Sequence, residues 1–444
     1  MRSPFSLSPL EHGAFVFVGL LVYVMVTRIG HQHRHPSAAI AWVMCIALLP
    51  YVGVPLFLVF GTRKLTRARR AAPVDPQRDR GVAAPAWALH LLAALDVPPP
   101  AHNRSIAFHA DGVASLRALL ELVEAARERL DLCTFVLAAD EVGLPVAEAL
   151  ERSAQRGVKV RVLIDAIGGW YFSHGLARRM RRSGIAVRWF MPVVRNPMRG
   201  RTNLRDHRKL AIADGERMWS GGRNLAREYG WFAGQAHVLF AQDWRAADGR
   251  IPRSAPAVPP SQGAARGAAA QLVPSGPDHA DDTIYALLLA AAYQARERIL
   301  AVSPYFVPDD ALLAAWCIAC RRGVQLTLVV PRRSNHRMAD LARERALRAL
   351  VAAGARVLLF PTMIHAKAVI VDDDLALCGS ANLDGRSLFL NFELMTAFYG
   401  RHEIDWLAGW IGQRARDCEP YAAHRPSWSR DLLEGLVRAV GFQL

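Results

Sequence analysis

Cysteine is scarce in this chain: six occur in 444 residues, at 45, 133, 317, 320, 378 and 418. Only Cys317 and Cys320 stand close together, and no second pair or histidine cluster completes a zinc set. Among Leu312, Leu313, Trp316 and Ile318 they read as packing residues on a buried helix face in a reducing compartment, which leaves no disulfide framework. No carboxylate cluster with metal-ligand spacing is evident, so neither a metal nor a cofactor is expected. Acidic residues are the minority charge, 39 against 55 basic ones, for a net charge of +16. That balance favours anionic partners: nucleic acid, an anionic membrane surface or a phosphate-bearing substrate. With 52% hydrophobic and 21% charged residues, the chain is neither disordered nor uniformly buried in a membrane, and its length suits two or three domains.

Two stretches lack charge altogether. Gly13 to Val26 is short, whereas Pro36 to Thr62 is long enough to span a bilayer even with Pro50 and Pro55 inside it. No small-residue cleavage signature comes after the first stretch, which favours a transmembrane hairpin of two helices over one span after a shallow re-entrant piece. Arg63, Lys64, Arg67, Arg69 and Arg70 come next. They place the remainder of the chain in the cytoplasm by the positive-inside rule and would attract anionic headgroups.

From Ser105 onward the pattern is α/β, with helical spacing alternating with short apolar strands such as Val158 to Ile164. The series then recurs. Ala126-Arg-Glu-Arg129 is echoed by Ala295-Arg-Glu-Arg298, and Arg156-Gly-Val158 by Arg322-Gly-Val324, in the same order. An internal duplication accounts for this. The expected division is a two-helix membrane anchor over 1–62, a basic juxtamembrane linker over 63–103, a first unit over 104–245, an Ala/Pro/Gly/Ser-rich linker over 246–276, a second unit over 277–424 and a C-terminal amphipathic helix over 425–444. The linker over 63–103 carries one helix, around Trp87 to Leu95, able to lie on the membrane or to dock on the catalytic part. The C-terminal helix, with Leu432, Leu433, Leu436, Val437 and Val440 on one face, likewise rests on a membrane or packs on the domain.

Each unit carries the same motif. His207-Arg-Lys209, Asp214 and Gly221-Gly222-Arg-Asn224 match His365-Ala-Lys367, Asp372 and Gly379-Ser380-Ala-Asn382 in spacing throughout. Residues two apart on a strand share a face, so each histidine points with its lysine. Facing each other, two such units would hold two imidazoles and two ammonium groups, with Gly222 and Ser380 allowing close backbone approach and the Asn224 and Asn382 amides near bound oxygens. Lysines neutralise charge spreading over phosphate oxygens, while one histidine attacks phosphorus and the other protonates the leaving alkoxide. Asp214 and Asp372 complete the catalytic set.

The paired motifs resemble those of the phospholipase D superfamily. Leu49-Pro-Tyr-Val-Gly53, Asn203-Leu-Arg-Asp-His207, Val273-Pro-Ser-Gly-Pro-Asp278, Ser303-Pro-Tyr-Phe-Val-Pro-Asp309, Asn382-Leu-Asp-Gly-Arg-Ser387 and Asn391-Phe-Glu393 narrow the likeness to bacterial cardiolipin synthases of the phospholipase D type, over nearly the whole length. The resemblance implies two duplicated phospholipase D-like α-β-α sandwich domains packed face to face behind the membrane hairpin. It further implies phosphatidyl transfer between two phosphatidylglycerol molecules through a phosphohistidine, at the bacterial inner membrane, with phosphatidylglycerol and anionic lipid as partners. His207 would be nucleophile and His365 acid and base, with Glu393 orienting His365. The segment Trp231 to Leu239 departs from the family by offering no acidic strand, which leaves the partner of His207 unassigned. A membrane-anchored nuclease or phosphodiesterase of the same superfamily is the alternative, disfavoured because a membrane anchor suits a lipid substrate better than nucleic acid. An inert membrane scaffold is a third reading, opposed by the intact motifs.

Overall fold

The fold is known from a computed structural model that describes residues 9–25, 27, 36–61, 63–65, 84–169, 174–193, 196, 203–222, 232–248 and 267–439. It opens with three helices, α1 (Pro9–Val24), α2 (Pro36–Leu48) and α3 (Pro50–Phe60). Pro50 has no N–H to continue a helix and pushes its predecessor out of the helical region, so Leu49 sits at φ −135° and ψ 62°. The long apolar stretch is thereby broken in two. Among the described residues no helix is long and apolar enough to cross a membrane, and the expected hairpin of two spans is not confirmed. The three helices instead fold on one another, with the Phe57 ring 5.1 Å from Tyr23 and 5.3 Å from Trp42. Phe15, Phe17, Leu21, Leu48 and Leu58 remain on the outside.

The duplication is plain in the sheets. The first half contains α5 (Gly112–Glu124), β2 (Arg129–Thr134), α6 (Gly143–Gln155), β3 (Lys159–Asp165), α7 (His174–Arg182), β4 (Ala186–Phe190), β5 (Leu210–Ala213), β6 (Arg217–Ser220) and α8 (Phe232–Ala246). The second contains α9 (Thr283–Gln294), β8 (Arg298–Val302), β9 (Phe306–Val307), α10 (Asp310–Arg321), β10 (Gln325–Pro331), α11 (Arg337–Ala352), β11 (Arg356–Phe360), β12 (Ala368–Val371), β13 (Leu375–Gly379), β14 (Leu383–Asp384), α12 (Gly385–Phe389), β15 (Glu393–Phe398), α13 (Arg401–Ala415), β16 (Glu419–Pro420) and α14 (Trp428–Ala439). The order β4-β3-β2-β5-β6 in the first sheet reappears as β11-β10-β8-β12-β13 in the second. Even the register repeats: Cys133 pairs with Leu210 on β2–β5, as Val302 pairs with Ala368 on β8–β12.

Three apolar layers pack on these sheets. Leu119, Leu122, Leu150 and Met180 cover the outer face of the first sheet, and Leu287, Leu312, Trp316 and Leu347 that of the second. Between them lies one shared core, to which Leu210, Ile212, Phe240, Ile370, Phe398 and Ile411 contribute from both halves. The two sheets thus face each other through α8 and α13. Two stretches read as linkers end in strands of the second sheet, β1 (Ala101–Asn103) and β7 (Ala268–Ser275), with β7 lying between β1 and β15. The helix α4 (Ala86–Ala94) docks on α9 through Leu89 and Leu92 instead of facing lipid along its length. Arg63 and Lys64, expected to meet headgroups, are drawn to Asp282 at 3.0 and 2.8 Å; Arg67, Arg69 and Arg70 lie outside the described residues. Cys317 and Cys320 are free thiols half-buried on α10, as packing residues would be, although Ile318 is exposed.

Candidate active site

His207 and His365 stand just before β5 and β12, at equivalent ends of the two duplicated strands. Each lysine turns back on its own histidine's backbone: Lys209 Nζ donates to the His207 carbonyl at 2.6 Å and Lys367 Nζ to the His365 carbonyl at 2.9 Å. Both lysines are buried. Burial lowers the Lys209 pKa to about 8 against the opposing pull of Glu393 and Asp206. An aromatic edge flanks each histidine, Phe135 at 5.1 Å from the His207 ring and Tyr305 at 6.3 Å from the His365 ring.

Glu393 belongs to His207. Its Oε1 accepts from His207 Nδ1 at 3.0 Å, which corrects the expectation that it orients His365 and supplies the partner that the short Trp231 to Leu239 segment could not. The pairing comes from the backbone. Phe392 N donates to the Arg205 carbonyl at 2.8 Å and His207 N to the Phe392 carbonyl at 2.9 Å, so the Asp206 and Phe392 segments run side by side across the halves. Glu393 is fully buried, and the Ser380 hydroxyl and Asn391 Nδ2 also donate to its carboxylate. Burial alone would raise its pKa, yet His207, Lys209 and Ser380 hold it below the usual value, and the group is ionised. The His207 pKa is lowered chiefly by burial, with Glu393 pulling the other way and both lysines assisting the decrease. A neutral ring with its proton on Nδ1 leaves the lone pair on Nε2.

Asp214 and Asp372 take no part in this arrangement. They end β5 and β12 at the opposite end from the histidines, at φ 55° and 50°. Each carboxylate caps the turn entering the neighbouring strand. Asp214 accepts from the N–H groups of Glu128 and Arg129 at 2.8 and 2.9 Å, and Asp372 from those of Glu297 and Arg298 at the same distances. The repeated Ala-Arg-Glu-Arg is therefore the dock for the repeated aspartate, so the structure brings neither carboxylate to the histidines with which its spacing groups it.

The Gly-x-Asn tails bring the halves together. A Cβ at Gly222 would run into the Gly379 carbonyl and stand 2.9 Å from Lys367 Cδ, so only glycine fits where the first motif touches the second. Gly222→Ala is expected to cost about 1–3 kcal/mol by overpacking, read by urea unfolding, with a parallel fall in turnover as Lys367 is displaced. Asn382 is buried beside Asp384 and hydrogen-bonded to it; Asn224 lies outside the described residues. Asp384 has its pKa raised to about 6, first by burial.

Sequence reasoning passed over Arg208, which is fully buried, pairs with Asp243 of its own half at 2.7 Å and reaches across to Asp278 of the second half at 3.1 Å. Asp206 is also buried between Cys133 and the Arg208 N–H, its pKa pushed up to about 7 mainly by burial. Asp165 fixes this segment by accepting from Asp206 N at 2.9 Å and Arg205 at 3.3 Å. The signal lay in the charged run Arg205-Asp-His-Arg-Lys209, whose members cannot all face water where the chain leads into a buried strand.

Comparison with known proteins accords with this geometry. The family model described as cardiolipin synthase, phospholipase D-like domain, matches residues 119–231 and 288–414. The chain belongs to the phospholipase D-like cardiolipin synthase family. It is accordingly a phosphatidyltransferase. A phospholipase D-nuclease N-terminal model also matches residues 15–61, the region of α1 to α3. Cardiolipin synthase A of Pseudomonas aeruginosa is 32% identical over 403 residues, covering 82% of this chain and 81% of that protein. Cardiolipin synthase A of Escherichia coli O157:H7 is 30% identical over 423 residues, covering 85% and 86%. A solved structure of phosphatidylserine synthase from Haemophilus influenzae superposes with a TM-score of 0.63 at 13% identity, over 81% of this chain and all of that one, which shows a shared fold.

Proposed function

We propose that the enzyme makes cardiolipin by transferring a phosphatidyl group from one phosphatidylglycerol to another. In the first step His207 Nε2 attacks phosphorus, the bond to the glycerol oxygen breaks, and His365 gives that oxygen its proton. Glycerol leaves. In the second step the hydroxyl of another phosphatidylglycerol gives its proton to His365 and attacks phosphorus, breaking the P–N bond and freeing His207. One phosphodiester is exchanged for another, so atoms and charge balance without a co-reactant. Lys209 and Lys367 would hold the phosphate oxygens as charge develops, with the Asn224 and Asn382 amides beside them. The location proposed is the bacterial inner membrane, catalytic halves on the cytoplasmic side, in keeping with the apolar α1 to α3 and the basic residues after them.

The observation that carries this reading is the buried Glu393 on His207 Nδ1. It holds the ring proton on Nδ1, which leaves the Nε2 lone pair free to attack, and it offsets the positive charge that the ring acquires when Nε2 bonds phosphorus. The test is a single turnover on phosphatidylglycerol labelled at phosphorus and separately in the glycerol headgroup. Label should appear as acid-labile phosphate on the peptide bearing His207, be absent from His207→Ala, and chase into cardiolipin with release of free glycerol. Label on the His365 peptide would reverse the two roles. Cleavage of DNA or RNA with phosphatidylglycerol untouched would overturn the reading altogether.

A further inference from the structure

Helix α14 is docked with its polar side inward. Glu434 has no exposed surface, and it accepts from Arg348 at 2.5 Å and from Arg430 at 3.1 Å. Asp431 accepts from Arg345 at 2.8 Å. One turn further, Val437 packs against the cluster of Val307, Ala339 and Ala342. Residues 431, 434 and 437 therefore form the face held against α11. The opposite side carries Trp428, Leu432 and Leu433, exposed by 81%, 51% and 50%. A surface helix in water ordinarily does the reverse, burying its leucines and solvating its acids.

The charge and position of that outer side indicate its cover. The acidic groups of α14 are drawn inward by arginines of α11, so the exposed charge near the apolar trio is basic: Arg425 is exposed, and Arg430, although bonded to Glu434, keeps 59% of its side chain exposed. A tryptophan and two leucines flanked by arginines match the boundary between anionic headgroups and acyl chains. The helix also borders the chemistry. Tyr305, which packs on the same apolar cluster as Val437, stands 6.3 Å from the His365 ring.

We propose that α14 is an interfacial helix that seats the His365 side of the active site on an anionic lipid bilayer. This deepens the phosphatidyl-transfer reading, yet lipid contact by Trp428 can be measured without it, and only the turnover comparison rests on it.

Lipid contact is tested with full-length protein in vesicles of phosphatidylglycerol and phosphatidylcholine with brominated acyl chains. Because the chain has 11 tryptophans, Trp428→Phe serves as the reference and the difference signal reports Trp428. Trp428 is expected to be blue-shifted and quenched by about half or more, as a side chain at acyl-chain depth is. An unquenched Trp428 would overturn the proposal, as would a dimer in detergent that disappears with Leu432→Glu, since the face would then meet a second copy. Turnover is compared between wild type and the Leu432→Glu/Leu433→Glu double variant. Turnover of phosphatidylglycerol in vesicles should fall about tenfold while turnover of a short-chain monomeric phosphatidylglycerol stays unchanged. Equal loss on both substrates, or on neither, would count against it. Quenched Trp428 in a protein that makes no cardiolipin would sink the functional reading and leave the lipid surface standing.

Discussion

Glu393→Gln should lower kcat about a thousandfold and leave the fold intact. The amide can still accept from His207 Nδ1 and can donate to Ser380, so the hydrogen-bond count is nearly preserved. The loss is a full negative charge in a buried site, at the moment when the His207 ring becomes cationic by bonding phosphorus. The pH profile separates this from simple misplacement. Burial already lowers the His207 pKa, and Glu393 is the group opposing that decrease. Removing the charge must lower the pKa further, so the acidic limb of kcat/KM should move to lower pH even as the plateau falls. An unchanged limb, or wild-type kcat, would show that Glu393 does not act through His207. Glu393→Ala is the poorer variant, because it strands the Ser380 and Asn391 donors in the interior and confounds catalysis with stability.

Much of this architecture is legible because it is written twice. The order of the repeated segments anticipates two sheets of the same strand order, and the spacing of His207 with Lys209 and of His365 with Lys367 anticipates their placement at equivalent strand ends. Pairing between the halves is not legible. Glu393 comes after the second motif along the chain, which points to His365, whereas the backbone bonds of Phe392 to Arg205 and His207 carry it to the first. Separation along the chain gives no hint of such a bridge. Nor does the motif's own spacing reveal that its aspartate lies past the end of the strand that begins after the lysine, several residues and a full strand length from the histidine. The N-terminal stretch is legible only in part. Hydropathy counts apolar residues, but Pro50 removes a backbone donor and turns one long segment into α2 and α3.

The positioning role of the aspartates has its own consequence: Asp372→Val should destabilise the protein by about 3 kcal/mol, while the kcat of the molecules that remain folded changes little. Two costs combine. A β-branched side chain is forced to φ 50°, and the N–H groups of Arg296, Glu297 and Arg298 lose the carboxylate that accepts from all three. Asp372→Asn should cost only about 1 kcal/mol, since asparagine tolerates the left-handed region and keeps one acceptor oxygen. The first copy offers the same contrast with a pH signature. Burial raises the Asp214 pKa, but the N–H groups of Arg129, Glu128 and Arg127 outweigh it and the net shift is downward. A carboxylate with a depressed folded pKa contributes stability above its unfolded value and loses it as pH falls through the folded one. Wild type and Asp214→Asn should therefore differ in urea midpoint at neutral pH and converge in acid. If either aspartate variant instead kept full stability and lost turnover by orders of magnitude, the carboxylate would belong to the chemistry, and the symmetry between its two docks would need another cause.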